Sequence, residues 1–65
     1  MNHKTLIRHL TYYADLMIND LPEKDARSYL RGCIPVWKEH YGDDVAREMG
    51  QIIRQRFDSK IKNAP

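Results

Sequence analysis

Only one cysteine, Cys33, occurs in the sequence, so no disulfide can close within the chain. A lone thiol excludes the disulfide-stapled secreted scaffolds and fits a reducing compartment, so the expected location is cytoplasmic. Long apolar runs are also missing. None approaches the roughly 18 residues of a membrane span. In the opening MNHKTLIRHLTYY, Arg8 and His9 interrupt any apolar core of a signal peptide. Nor is there an excess of one charge: 11 Lys and Arg face 9 Asp and Glu, a formal net charge of +2. A balance that small gives no pointer to nucleic acid or to a membrane surface. The three glycines are isolated, so no Gly-rich phosphate loop exists. Internal repeats and low-complexity segments are lacking.

What remains is one small domain over residues 1–65, with 42% hydrophobic and 31% charged residues, the composition of a folded helix-rich chain. A chain of this size buries only about 60% of the surface its unfolded form exposes. Without disulfides or metal, its stability has to come from close helix packing or from self-association.

Three helices are expected, over about 3–19, 21–41 and 44–62. In the first, Ile7, Leu10, Ala14, Met17 and Leu21 recur at alternating spacings of three and four, and Leu6, Tyr13 and Ile18 widen that face. Arg8, Asp15 and Asn19 lie opposite, toward solvent. Asn2 is a suitable N-cap. Asp20 with Glu23 reads as a capping box for the second helix, with Pro22 in its first turn. The second helix carries Ala26, Tyr29, Leu30, Cys33, Val36, Trp37 and Tyr41 on one side, with Trp37 as a core anchor. Gly42 ends it. Asp43 caps the third helix and Asp44 suits its dipole. Val45, Met49, Ile52, Ile53 and Phe57 form the last stripe. Ala46 and Gly50, small and four apart, predict close approach of another helix. The closing Asn63-Ala64-Pro65 reads as a frayed tail.

Pro35 interrupts the second helix. It removes a backbone hydrogen bond and crowds the Arg31 carbonyl. The apolar pattern keeps its phase across it, and Gly32 can absorb the distortion. A helix kinked at Pro35 is therefore expected, with a break into two short helices as the alternative. The fold class is all-α, a compact three-helix bundle.

The chemistry-bearing residues do not assemble into an active site. His3 and His9 are six apart, on different sides of a helix, and no His-x-x-x-His or Cys-x-x-Cys pair occurs. No metal and no cofactor are expected. Cys33 and His40 are seven apart, about 10 Å along a helix, too far for a nucleophile and its base. No pair of acids sits on an apolar face. The expectation is a protein with no catalytic residues.

Two surfaces stand out instead. The third helix is basic: Arg47, Arg54, Arg56, Lys60 and Lys62 face Glu48 and Asp58, which is five minus two, or +3. Such a helix can meet phosphates, although Arg54 with Asp58 reads as an i, i+4 ion pair and late cations suit the helix dipole. A helix-turn-helix does not fit, because Arg56 stands where that motif needs an apolar residue. Arg56 and Lys60 fall on the apolar side. They either snorkel there or meet an acidic partner. On the first helix, His9, Tyr12 and Leu16 form a second patch beside the main stripe, a candidate contact surface.

The reading is a non-catalytic helical protein-interaction module, an adaptor, inhibitor or regulator that binds a macromolecular partner. It uses His9, Tyr12, Leu16, Arg47, Arg54, Arg56 and Lys60, and self-association is expected. A small nucleic-acid-binding protein using the basic third helix is the alternative. In size and helical class the chain resembles accessory proteins of phages and plasmids, inhibitors of host defence among them. That resemblance rests on dimensions and class, not on a motif.

Overall fold

The computed structural model describes residues 2–62, with side chains through Lys60; the expected frayed tail, Asn63-Ala64-Pro65, lies outside them. The chain forms an all-α three-helix bundle: α1 (His3–Asp20), α2 (Glu23–Tyr41) and α3 (Asp43–Lys62). It measures 38 × 20 × 17 Å. The one- or two-residue connections force each helix to run antiparallel to the one before it. Helix α3 packs more extensively on α1 and on α2 than those two pack on each other. Among the described residues, no helix is long and apolar enough to cross a membrane.

The expected stripes converge on one core of Ala14 and Ile18 from α1, Ala26, Leu30 and Trp37 from α2, and Val45, Met49, Ile53 and Phe57 from α3. Each large aliphatic side chain buried there stabilises the fold by about 1.5–3 kcal/mol. Leu6, Ile7, Leu10, Met17 and Cys33 are half-buried around it. Ile18, expected only to widen the stripe, lies at its centre. Tyr29, Val36 and Tyr41, expected on the apolar side of α2, are about half exposed. Too few helices surround α2 to cover its whole apolar arc.

Asn2 caps α1 as expected, its Oδ1 accepting from the Thr5 amide at 2.8 Å. The capping box at Asp20 does not form. Asp20 is instead the last residue of α1, and Leu21 turns out into extended backbone (φ −106°, ψ 153°), as a residue before proline prefers. Pro22 is the N-cap of α2 and offers no side-chain acceptor; its carbonyl accepts from the Ala26 amide at 2.9 Å. Glu23 and Asp25 supply the first-turn acids of α2. At the second corner Gly42 has φ 101°, a conformation that excludes most side chains. Asp43 is not the cap there. It is already helical and stands with Asp44 in the first turn of α3, while the Gly42 carbonyl accepts from the Ala46 amide at 3.3 Å.

Helix α2 runs through Pro35 without a break. The alternative of two short helices is thereby excluded. Pro35 and Gly32 are both exposed, so the lost hydrogen bond falls on the solvent side, where water can serve the freed carbonyl.

Two basic residues of α3 fasten it to α1. Arg56 donates from Nε to Asp15 Oδ1 at 3.1 Å, which is why Asp15, expected in open solvent, is half-buried. Lys60 donates from Nζ to the Ile18 carbonyl at 2.8 Å. In an α-helix that carbonyl would accept from the amide four residues on. Here that residue is Pro22, which has no N–H. Helix α1 carries no basic residue in its own last turn, so Lys60 provides both the missing donor and the cation that suits a helix C-terminus.

Candidate functional site

The residues expected to bind a partner are not brought together; they occupy four places. His9 and Tyr12 line a hollow with Arg8 on the outer side of α1. Tyr12 is 68% exposed and Leu16 is 40% exposed. Arg47 lies in a separate polar hollow with His3, Asp44, Glu48 and Gln51, where His3 Nε2 is 2.8 Å from Glu48 Oε2. Arg56 and Lys60, both exposed, reach across to α1, where Arg56 meets Asp15 and Lys60 the Ile18 carbonyl. Arg54 lines a groove of its own, between α2 and α3.

That groove runs between α2 and α3 and has a volume of about 210 Å³. Its floor is Leu30 and Ile34 from α2 and Ile53 and Phe57 from α3. Its walls carry Arg27 and Arg31 from α2 and Arg54 and Asp58 from α3. Three cations against one anion leave the walls at +2. The guanidinium of Arg27 lies 4.5 Å from the centre of the Phe57 ring and its Nε is 3.8 Å from Glu23. Glu23 precedes Arg27 by four residues, the favourable orientation for such a pair. Among the described residues Arg31 and Arg54 meet no carboxylate within ion-pair distance. The expected Arg54–Asp58 pair is therefore absent. With the cation N-terminal to the anion it has the weaker orientation, and both side chains reach into water.

Gly50 also borders the groove. Close helix packing, the expected reason for a glycine there, is not found: a Cβ built at Gly50 meets nothing within 4 Å. Only Ala46 of the expected small pair is buried against the core. A glycine inside a helix costs about 1 kcal/mol relative to alanine, and no contact within the bundle offsets it.

Arg27, Arg31 and Ile34 were not singled out by sequence reasoning. One signal was available: Arg27 and Arg31 are like charges at i, i+4, a mildly destabilising pair on an isolated helix.

A second feature lies between α1 and α2. The hydroxyls of Tyr13 and Tyr29 are hydrogen-bonded to each other, with the rings tilted and their centres 6.3 Å apart. The Tyr13 hydroxyl is pushed up to about 12, first by that hydrogen bond and then by burial and by the neighbouring Tyr29 and Cys33. Burial likewise raises the Cys33 thiol, so less of it is reactive thiolate at neutral pH. The folded state favours neutral Tyr13. The stability this bond contributes is fully present below the ordinary tyrosine value near 10, and is lost as the pH rises toward 12. Absorbance of the phenolates is expected to show one tyrosine titrating near 12 in the native protein, and Tyr29→Phe is expected to bring it down. A late step that persists in Tyr29→Phe would show that the hydrogen bond is not its cause.

No protein family, curated protein or solved structure matches this chain.

Proposed function

We propose that the chain is a non-catalytic protein-interaction module. It acts by occupying a surface of a macromolecular partner in the cytoplasm, as an adaptor, inhibitor or regulator. The observation that supports this most is the α2–α3 groove, where Arg27, Arg31 and Arg54 rim a floor of half-buried Ile34 and the buried Leu30, Ile53 and Phe57. Apolar floors with polar rims are the anatomy of protein interfaces, and Arg is among the residues that carry binding energy there. The outward Tyr12 and Leu16 of α1 give the module a second contact surface, suited to self-association.

The alternative is nucleic-acid binding, favoured by the guanidinium groups of Arg31 and Arg54, which meet no carboxylate within ion-pair distance among the described residues. The two readings separate by salt and nuclease. Affinity capture by the tagged chain from lysate of its source cell is expected to retain a stoichiometric protein after nuclease treatment and at moderate salt. Binding through phosphates instead weakens by roughly one log–log slope unit per contact as salt rises. Capture that disappears with nuclease or modest salt would replace the module reading with the nucleic-acid one.

A further inference from the structure

Resting on the interaction-module reading, we infer that the chain pairs with a second copy of itself through the side of the bundle formed by α1 and α2. The two copies are related by a two-fold axis that crosses both helices at the level of Gly32.

This is the side the bundle closes least. Helices α1 and α2 share the smallest of the helix contacts. Tyr29 is left 49% exposed, Val36 50% and Leu16 40%, beside half-buried Leu6, Tyr13 and Cys33. On a wheel of about 100° per residue, Leu6, His9, Tyr13 and Leu16 share one narrow arc of α1. Tyr29, Gly32 and Val36 share one of α2. The hydrogen bond between the Tyr13 and Tyr29 hydroxyls joins the two arcs into one surface.

No Lys, Arg, Asp or Glu falls on either arc. The charges of these segments turn elsewhere. Asp15 meets Arg56 of α3, Arg31 borders the α2–α3 groove, and Arg8 lies with Tyr12 on the outer side of α1. Such a surface offers a charged partner nothing to select, and charge-depleted, more apolar cores mark homodimer interfaces. The two tyrosine hydroxyls already bond each other, which lowers the cost of covering them.

The order of residues selects the occupant. A two-fold contact lays a patch on itself, so its pattern has to read alike in both directions, and this one does. The short corner after α1 and the tyrosine pair put Thr11 level with Arg31 and Gly32. From Thr11, Leu6 and Leu16 lie five residues either way, and His9 and Tyr13 lie two. From Gly32, Tyr29 lies three residues one way and Val36 four the other. One axis across the helices at that level sets Leu6 on the copy's Leu16, His9 on its Tyr13 and Tyr29 on its Val36. Gly32 meets its own equivalent at the centre. A Cβ built there meets nothing within 4 Å, so the two α2 backbones can approach at the short end of the roughly 8–10 Å usual between helix axes. An axis parallel to the helices would instead gather Asp20 and Asp25 of both copies at one end, where like charges repel.

The dimensions agree. A broad side of the molecule is 38 Å long and 17–20 Å wide, roughly 650–760 Å², against about 800 Å² per partner in a standard interface.

Sedimentation equilibrium of the purified chain is expected to reach twice the monomer mass as concentration rises. Val36→Glu and Gly32→Met should each weaken pairing at least tenfold. Both positions are exposed, so circular dichroism should show both variants folded. Gly32→Met adds a better helix former in open space and should melt no lower than the wild-type monomer in dilute solution. In a Cys33→Ser background, Gly32→Cys sits on the axis and should oxidise to a disulfide-linked dimer. It should do so at least tenfold faster than Gln55→Cys, which is exposed on α3, because a disulfide needs its two Cα atoms within about 7 Å.

A chain that stays monomeric at high concentration would overturn the proposal. So would pairing indifferent to Val36→Glu and Gly32→Met, or crosslinking no faster at Gly32 than at Gln55. If the chain is monomeric while a nuclease-resistant protein is captured from lysate, the pairing fails and the module reading stands. If it pairs as described and lysate yields no protein, the module reading fails and the pairing stands.

Discussion

Leu30→Ala is expected to destabilise the protein by about 3 kcal/mol, within the range of 2–5 kcal/mol for truncating a buried leucine. Leu30 is 1% exposed, and with Met49 it is among the largest fully buried side chains. Chains of this size have total stabilities of roughly 3–10 kcal/mol, so one cavity removes a large share. Chemical denaturation followed by far-ultraviolet circular dichroism should show the midpoint collapsing toward zero denaturant. Leu30→Met, which nearly conserves volume, should cost less than about 1.5 kcal/mol. A Leu30→Ala protein as stable as wild type would mean that the bundle closes over the lost side chain, and that its core is less specifically packed than described.

Phe57→Ala is expected to cost about 3–5 kcal/mol, the range for a buried phenylalanine. Phe57 is 2% exposed and belongs at once to the core and to the groove floor. Two contributions have to be separated, because Arg27 also lies over the ring. A cation over an aromatic ring at an exposed site contributes about 0.5–1 kcal/mol. Arg27→Met, measured by the same denaturation, should therefore lose no more than about 1 kcal/mol. If it lost as much as Phe57→Ala, the groove wall would depend on the cation and not on the buried ring. Phe57→Leu leaves a smaller cavity and should cost less than Phe57→Ala.

The three helices and most of the core were legible because each helix packs only one stripe, and periodicity reports stripes directly. Ala14, Leu30, Val45, Met49 and Phe57 all fall where their spacing puts them. The corners were less legible. The Asp20–Glu23 pattern fits a cap as a string of residues, but the extended backbone before Pro22 lets α1 continue through Asp20. Arg56 and Lys60 on an apolar side looked like a conflict because their partners, Asp15 and the Ile18 carbonyl, lie about forty positions away. The groove was illegible for a similar reason. Arg27 and Arg31 are ordinary surface cations on their own helix, and only the pairing of α2 with α3 sets them across from Arg54. The His9, Tyr12 and Leu16 patch was read correctly as outward-facing, since a wheel gives direction even where it gives no neighbour.

The Lys60–Ile18 contact has a consequence for the order in which the chain can assemble during synthesis. A proline at position 22 leaves the first helix unable to complete its own terminus from neighbouring residues, and the donor that completes it is made 42 positions later. When the first two helices have emerged from the ribosome, the Ile18 carbonyl at the corner between them is served by water alone, and their shared surface is the smallest of the helix contacts in the bundle. The hairpin is therefore a poor stopping point. Helix formation itself is local and fast, so the chain holds loosely paired helices until the last turns of the third arrive. The finishing step then seals the core and the corner together, which favours a single cooperative transition over a populated two-helix intermediate.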